Sequence, residues 1–209
     1  MKIYRVLSKF CFESTINYKA TMGKKSRMPN PEDQIGSIRR FQSGPRNVYL
    51  CINEVAYNDE FVQYTAWTDG ACDNLSPESP GGSAYIVLKN GHQLTQASKG
   101  FLNTTNNRME MLSIISAANY VAMYEKGARL DIYSDSQYSI NVLTGQWSPK
   151  MNFDLIELFG NIVKNLEMVV FHWVKGHSGI EYNEKVDELA YNAYLDIAQK
   201  NGFKIGKYV

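Results

Sequence analysis

The sequence has few cysteines and no long apolar run, and each of these shortages excludes a class of protein. Its three cysteines, Cys11, Cys51 and Cys72, form neither an even set nor a C-x-x-C cluster. Disulfides and a structural zinc site are therefore not expected, whereas a reducing, cytoplasmic location is. Charged residues interrupt segment 1–14, so it has no secretory apolar stretch, and nowhere do eighteen apolar residues run together. We expect a soluble protein that makes no contact with a membrane.

The charge is nearly balanced overall, at +1 for 209 residues, but it is unevenly distributed. Residues 1–46 contain ten Lys or Arg against three acids, and residues 47–209 contain twelve against eighteen. A basic arm on an acidic body indicates a polyanionic partner. A solvated, disordered tail explains the same composition equally well, so charge alone leaves both interpretations open.

The pattern of residues divides the chain into three parts. Residues 20–46 are rich in Lys, Arg, Pro, Gly and Ser, which is typical of a linker. Short apolar runs at 3–7 and 48–55 flank it and could be strands of a small appended unit. We therefore expect an N-terminal extension over 1–60, a main domain over 61–200 and a C-terminal tail over 201–209.

The main domain has alternating strand and helix patterns. A β-rich aromatic run at 61–68 precedes two strand-like segments, 83–89 and 94–101, which the turn Asn90-Gly91 joins as a hairpin. Apolar residues at spacings of three and four predict a helix over 107–125. The later predicted elements are a strand at 130–134, helices at 136–143 and 153–165, a strand at 168–174 and a helix at 184–200. This order indicates an α/β fold in which helices cover a mixed sheet.

Four acidic residues occupy comparable places on these elements. Asp69 and Asp135 end predicted strands, and Glu110 and Asp187 lie in the first turns of predicted helices. Strand ends and helix starts can meet at one edge of an α/β sheet, so the four carboxylates can converge. Converging carboxylates repel one another, and an all-oxygen donor set favours Mg²⁺ or Mn²⁺. Each acid alone has an ordinary explanation in a turn or a helix dipole, so only the joint pattern indicates a metal site.

Five motifs surround these acids in a fixed order. They are Thr68-Asp69-Gly70-Ala71, Thr104-Thr105-Asn106-Asn107-Arg108-Met109-Glu110, Ser134-Asp135-Ser136-Gln137-Tyr138, Trp173-Val174-Lys175-Gly176-His177-Ser178-Gly179 and Val186-Asp187-Glu188-Leu189-Ala190. In that order and context they closely resemble ribonuclease H of type 1, over roughly residues 61–197. The main domain is thereby expected to be a ribonuclease H catalytic domain.

The resemblance implies a fold and a reaction. The fold is a five-stranded mixed sheet of order 3-2-1-4-5, flanked by helices. The reaction is endonucleolytic cleavage of the RNA strand of an RNA/DNA hybrid by two Mg²⁺ ions, for which Mn²⁺ can substitute, leaving 5′-phosphate and 3′-hydroxyl ends. Asp69 would bridge both ions, Asp187 would hold the ion that activates water, and Glu110 and Asp135 would hold the ion at the leaving oxygen.

The resemblance also assigns residues to proton transfer and to substrate contact. His177, in a loop bracketed by glycines, would assist proton transfer or product release, whereas we expect His92 and His172 to be structural. The hybrid would be contacted by five residues, with Thr105 on a DNA phosphate and the others in the minor groove: Asn74, Thr105, Asn106, Asn107 and Gln137. Capping of the following helix explains residues 104–107 equally well. A monomer is expected.

The chain departs from the family pattern at two places. The loop over 72–82 differs in length and composition from the usual version. Many relatives insert a basic, Trp-bearing helix and loop after the Asp135 helix, whereas residues 146–150 offer only Lys150 as a basic residue. The N-terminal arm could compensate through phosphate contacts of Lys19, Lys24, Lys25, Arg27, Arg39, Arg40 and Arg46.

Three other interpretations compete with a hybrid-cleaving enzyme. A catalytically silent hybrid-binding module is disfavoured because all four acidic positions are filled. A resolvase or transposase-like enzyme on the same fold is disfavoured by the motifs at 105–110 and 175–179. An origin as a reverse-transcriptase-associated domain stays open, although this chain carries no polymerase portion.

Overall fold

The structure, a computed structural model, describes residues 38–52, 63–76 and 78–203. The predicted apolar run at 3–7, the basic residues before position 38 and Cys11 lie outside these ranges. Within them, no helix is both long and apolar enough to cross a membrane.

Seven strands form one mixed sheet. They are β1 (Ile38–Arg39), β2 (Val48–Cys51), β3 (Tyr64–Cys72), β4 (Gly81–Lys89), β5 (His92–Phe101), β6 (Arg129–Ser134) and β7 (Met168–Trp173). Their order is β1-β2-β7-β6-β3-β4-β5. Strands β3, β4 and β5 form an antiparallel meander around the predicted turn, in which Asn90 and Gly91 have φ of 51° and 77°. Strands β2, β7, β6 and β3 run parallel.

The sheet is wider than predicted. Its central strands, β5-β4-β3-β6-β7, follow the order that the resemblance implies, but the prediction of five strands was wrong. Residues 38–51 add a parallel strand to β7, with Val48 opposite Val169, and an antiparallel strand beyond it. The added strands pair the backbone groups that β7 would otherwise present as an open edge. This part of the N-terminal extension therefore belongs to the main sheet.

Four helices of the described residues cover the sheet. They are α1 (Asn106–Tyr124), α2 (Gln137–Leu143), α3 (Phe153–Val163) and α4 (Glu181–Lys200). Side chains alternate between the two faces of a strand. On β4, Tyr85 and Val87 enter the larger core with α1 and α3, while Ile86 and Leu88 pack with residues of α4. The α/β class is confirmed, with helices on both faces.

Three of the four acids lie further inside their elements than predicted. Strand β3 does not end at Asp69 but continues to Cys72 along β4, although its pairing with β6 stops at Trp67. Helix α1 follows the N-cap Thr105, which puts Glu110 in its second turn. Helix α4 begins at Glu181, three residues earlier than predicted, so Asp187 is also in a second turn. Glu181 and Glu184 fill the first turn of α4, where acids favour helix formation.

A buried group of charges ties β6 to β7. The Asp131 carboxylate accepts a hydrogen bond from Arg129 Nε at 3.1 Å and lies 2.7 Å from His172 Nε2. The Asp131 side chain is fully buried, and the His172 ring stacks on Tyr133 at 4.4 Å between centroids. Burial lowers the pKa of His172, but hydrogen bonds with Asp131 and Cys51 outweigh it and raise this pKa to about 9. His172 is structural, as the sequence predicted.

Stability should depend on pH through His172. Its pKa is about 9 in the folded chain against about 6.5 unfolded, so the imidazolium contributes fully below pH 6.5 and its contribution is lost as pH rises to 9. We expect the free energy of unfolding, from urea titrations, to fall by up to about 3 kcal/mol across this range. Asp131, Cys51 and Tyr133 face the ring, and Arg129 pairs with Asp131 behind it. His172→Gln should flatten the profile, and an unchanged slope in that variant would refute the assignment.

Candidate metal centre

Three carboxylates meet where β3 and β6 part. Oxygens of Asp69, Glu110 and Asp135 lie within 4.8 Å of one another. Asp69 is on β3 beyond its last pair with β6, and Asp135 directly follows β6. Glu110 comes from α1, which packs very closely on β3: a β-carbon on Gly70 would lie 2.3 Å from the Glu110 backbone nitrogen. Glycine at position 70 therefore allows the helix to deliver its carboxylate to the strand.

Burial and mutual repulsion disfavour the ionised forms of these acids. Burial first, and then the charge of Asp135, raise the pKa of Asp69 well above its usual value. Burial and the charges of Asp69 and Asp135 do the same for Glu110, and burial chiefly raises the pKa of Asp135. A group of acids with such pKa values is typical of a functional site.

The donor set fits a divalent cation. Glu110 Oε1 accepts a hydrogen bond from Asn106 Nδ2 at 3.4 Å, whereas its other oxygen is buried without a hydrogen-bond partner among the described residues. A buried carboxylate oxygen with no partner is costly, and a cation compensates it together with the neighbouring charges. Because all the donors are oxygens, the site suits Mg²⁺ or Mn²⁺ better than zinc.

Asp187 approaches this group from α4 on the side of Asp69. Its charge and a hydrogen bond between the two side chains both raise the pKa of Asp69. Asp187 also groups within 4.8 Å with His177 and Glu184. The four predicted acids are thus brought together: Asp69, Glu110 and Asp135 form the tight group, and Asp187 joins it through Asp69.

The loop of His177 is held against α4. His177 Nδ1 lies 3.6 Å from Asp187 Oδ2 and 3.9 Å from Glu184 Oε2, and its side chain is 79% exposed. Its φ of 51° is a left-handed conformation that is uncommon outside glycine. Glu184 Oε1 accepts a hydrogen bond from the Gly179 backbone nitrogen at 3.1 Å, which fixes the end of the loop. Sequence reasoning missed Glu184, although its spacing of three from Asp187 puts both on one helix face.

Two further residues that the sequence did not single out support Asp135. Trp173 Nε1 donates a hydrogen bond to the Asp135 backbone oxygen at 3.1 Å. Gly176 lies so close that a β-carbon there would be 2.6 Å from Asp135 Oδ2. Both belong to the motif around His177, so this motif also packs against Asp135.

The predicted substrate residues are only partly gathered around the acids. Asn74 Oδ1 accepts a hydrogen bond from the Asn106 backbone nitrogen at 3.3 Å, which joins the 72–82 loop to the start of α1. Thr105 Oγ1 accepts from the Arg108 backbone nitrogen and caps α1, so the capping explanation holds for it. Asn107 lines a groove with Tyr138 and Trp147, and Gln137 is exposed at the first position of α2.

Comparisons with known proteins identify the family. The RNase H family model matches residues 62–194. The ribonuclease H of Nitratidesulfovibrio vulgaris is 39% identical over 139 residues, covering 60% of this chain and 85% of that protein. The ribonuclease H of Desulforamulus reducens is 37% identical over 149 residues, covering 64% and 88%.

Solved structures agree in fold. The N-terminal RNase H domain of a Mycobacterium tuberculosis protein, solved as a fusion with maltose-binding protein, matches with a TM-score of 0.60 and 19% identity over 68% of this chain and 99% of that one. RNase H1 of Halobacterium salinarum gives a TM-score of 0.55 and 22% identity over 64% and 98%. The family model and the curated relatives together show that this chain belongs to the ribonuclease H family of enzymes.

Proposed function

We propose that this enzyme hydrolyses the RNA strand of RNA/DNA hybrids endonucleolytically with two divalent cations, leaving 5′-phosphate and 3′-hydroxyl ends. The observation that carries the proposal is the group of Asp69, Glu110 and Asp135, with its buried, unpartnered Glu110 oxygen, in a chain of the ribonuclease H family. Burial and mutual repulsion oppose ionisation of these carboxylates, and a bound cation would offset both. The arrangement therefore makes chemical sense as a cation site.

The positions of the acids support unequal roles. We assign Asp69 as the shared ligand, because its carboxylate lies in the group with Glu110 and Asp135 and also bonds with Asp187. Asp187, on the outer side, belongs to the end of the site where water enters. Glu110 and Asp135, on the inner side, belong to the end where the 3′-oxygen leaves. When bound, Mg²⁺ or Mn²⁺ supplies Lewis-acid stabilisation of the entering and leaving oxygens.

His177 and the asparagines complete the proposed site. His177 Nδ1 faces Asp187 on an exposed loop, so its imidazole can exchange a proton there with solvent during product release. Asn106 and Asn74, linked to each other beside Glu110, are placed to sense a minor groove in which only one strand carries 2′-hydroxyls. Asn107, Gln137 and Thr105 are assigned to neighbouring contacts with the same duplex.

A cleavage assay on labelled duplexes tests this function. With Mg²⁺, the protein should cut the RNA of an RNA/DNA hybrid and leave RNA duplex and DNA duplex intact. Asp135→Asn should abolish cleavage, whereas Asp196→Asn, an exposed carboxylate on α4, should retain it. Cleavage in excess EDTA would refute the metal mechanism, and equal cleavage of RNA duplex would refute the substrate. End-labelling of the products checks the 5′-phosphate.

A further inference from the structure

A basic turn lies against the C-terminal end of α2. Arg39 is on β1, and Arg40 and Arg46 lie in the connection between β1 and β2; all three are exposed. Within residues 38–52, 63–76 and 78–203, none of the three takes part in an ion pair. We call residues 39–46 the arginine turn.

The arginine turn is anchored to the catalytic domain at the end of α2. Ser43 Oγ donates a hydrogen bond to the Gly145 backbone oxygen. Gly44 lies against the end of α2, since a β-carbon there would be only 2.0 Å from the Thr144 backbone oxygen. Gly145 is itself in the left-handed region, with φ of 80°. These contacts need glycine on both sides, so they are a built junction between the two segments.

A second anchor follows at Asn47. Its Nδ2 donates to the backbone oxygens of Val163 at 2.7 Å and of Leu166 at 2.9 Å, at the end of α3. Its own backbone oxygen accepts from the Val169 nitrogen at 2.9 Å, where β7 begins. The three arginines are therefore held in a fixed position relative to the sheet by contacts on both sides.

The arginine turn and the acids lie at opposite ends of α2. Helix α2 starts immediately after Asp135 and has seven residues, so its far end is about 10 Å along the helix from the acids. The connection from α2 to α3 that follows Gly145 has only Lys150 as a basic residue. Residues 47–209 as a whole carry more acids than bases. Among the described residues at this end of α2, the arginine turn therefore supplies three cations for a polyanionic duplex, beside Lys150.

We propose that Arg39, Arg40 and Arg46 form a binding surface for the sugar-phosphate backbone of the hybrid beyond the cleavage site. The turn thus takes the place of the basic insertion that is absent after α2. Guanidinium groups suit this task because they bind phosphate oxygens in a bidentate manner. The inference rests on the proposed function, since it assumes that the substrate is a nucleic-acid duplex.

A triple substitution, Arg39→Gln, Arg40→Gln and Arg46→Gln, in the full chain tests the surface. Each lost phosphate contact lowers the slope of log affinity against log salt by about 0.9, so the slope should fall by about 2 to 3. We expect the KM for a long hybrid to rise at least about tenfold at moderate salt, with kcat unchanged, because the acids are untouched. The matched control is Lys99→Gln, Lys126→Gln and Lys200→Gln, which removes three charges outside the arginine turn and its anchors.

The outcomes separate this inference from the proposed function. Absence of hybrid cleavage by the unmodified protein contradicts the function itself. If the unmodified protein cleaves and both triple variants weaken equally, net charge is responsible and the arginine surface is refuted; an unchanged KM and salt slope in the arginine variant refute it as well. Circular dichroism melting checks folding, and replacement of the three arginines by lysine should restore most of the salt slope.

Discussion

Asp69→Asn is expected to reduce hybrid cleavage by about 1000-fold or more while raising the melting temperature of the metal-free protein. The loss follows because Asp69 is the proposed shared ligand, and Lewis-acid stabilisation is worth several kcal/mol, with a factor of ten for each 1.4 kcal/mol. Asparagine keeps the shape of the side chain but removes a charge that the metal requires.

The gain in stability without metal comes from relief of the repulsion among the buried acids. The folded-state pKa values of Asp69 and Glu110 are raised, so both acids favour folding only while protonated. Their contribution is complete below about pH 4, and it is lost as pH rises through the folded-state values. At pH 7 without metal, gathering these acids in one buried site therefore opposes folding, and one acid fewer relieves the repulsion.

Paired measurements check both halves of this prediction. Initial cleavage rates with Mg²⁺ give the first, and thermal melting in EDTA at pH 7 gives the second. Adding Mg²⁺ should stabilise the unmodified protein more than Asp69→Asn, because the cation binds only the complete site. Asp196→Asn is the control and should match the unmodified protein in both assays. A lower melting temperature for Asp69→Asn in EDTA would contradict the proposed repulsion.

Asp131→Ala is expected to destabilise the fold by about 3 to 5 kcal/mol. The substitution leaves the Arg129 guanidinium and the protonated His172 ring buried without the carboxylate between them. This large loss arises although Asp131 is distant from the proposed chemistry. The same charges account for the pH dependence predicted for His172.

Urea denaturation at pH 7 measures the effect. Asp196→Ala, an exposed substitution of the same kind, should change stability by no more than about 0.5 kcal/mol. Asp131→Asn should fall between the two, because it keeps a hydrogen-bonding oxygen but loses the charge. An Asp131→Ala midpoint equal to that of the unmodified protein would show that the group contributes nothing net.

The elements of the main domain could be predicted because their signals are local. Asn90-Gly91 specifies a tight hairpin turn through its backbone conformation, and the spacing of Met109, Leu112 and Ile115 predicts a helix. The structure buries α1 on nearly all sides over 109–118, which the spacing alone did not predict. The ends of the elements were predicted less accurately than their positions along the chain. The start of α4 moved because Glu181 and Glu184 stabilise a first turn that apolar periodicity does not detect.

Residues outside the motifs could not be interpreted in the same way. The sequence around Val48–Cys51 has the composition of a strand, but nothing local states that it pairs with β7. The composition of the basic stretch before it predicts a linker, because Pro, Gly and Ser are typical of loops. Its glycine at 44 is required by a contact with Thr144, a hundred residues later. A contact between residues so far apart in the chain leaves no pattern in the sequence near either of them.

The sequence by itself determined the family and the identities of the four acids, because five motifs in order specify them without reference to distance. Only the tertiary structure decided how those acids divide, with Asp69, Glu110 and Asp135 together and Asp187 beside His177 and Glu184. It also decided that Gly70 and Gly176 make room for carboxylates, and that residues 38–51 complete the sheet and hold three arginines near α2. The physical reason is the same in each case: burial, close approach and strand pairing depend on residues far apart in the chain.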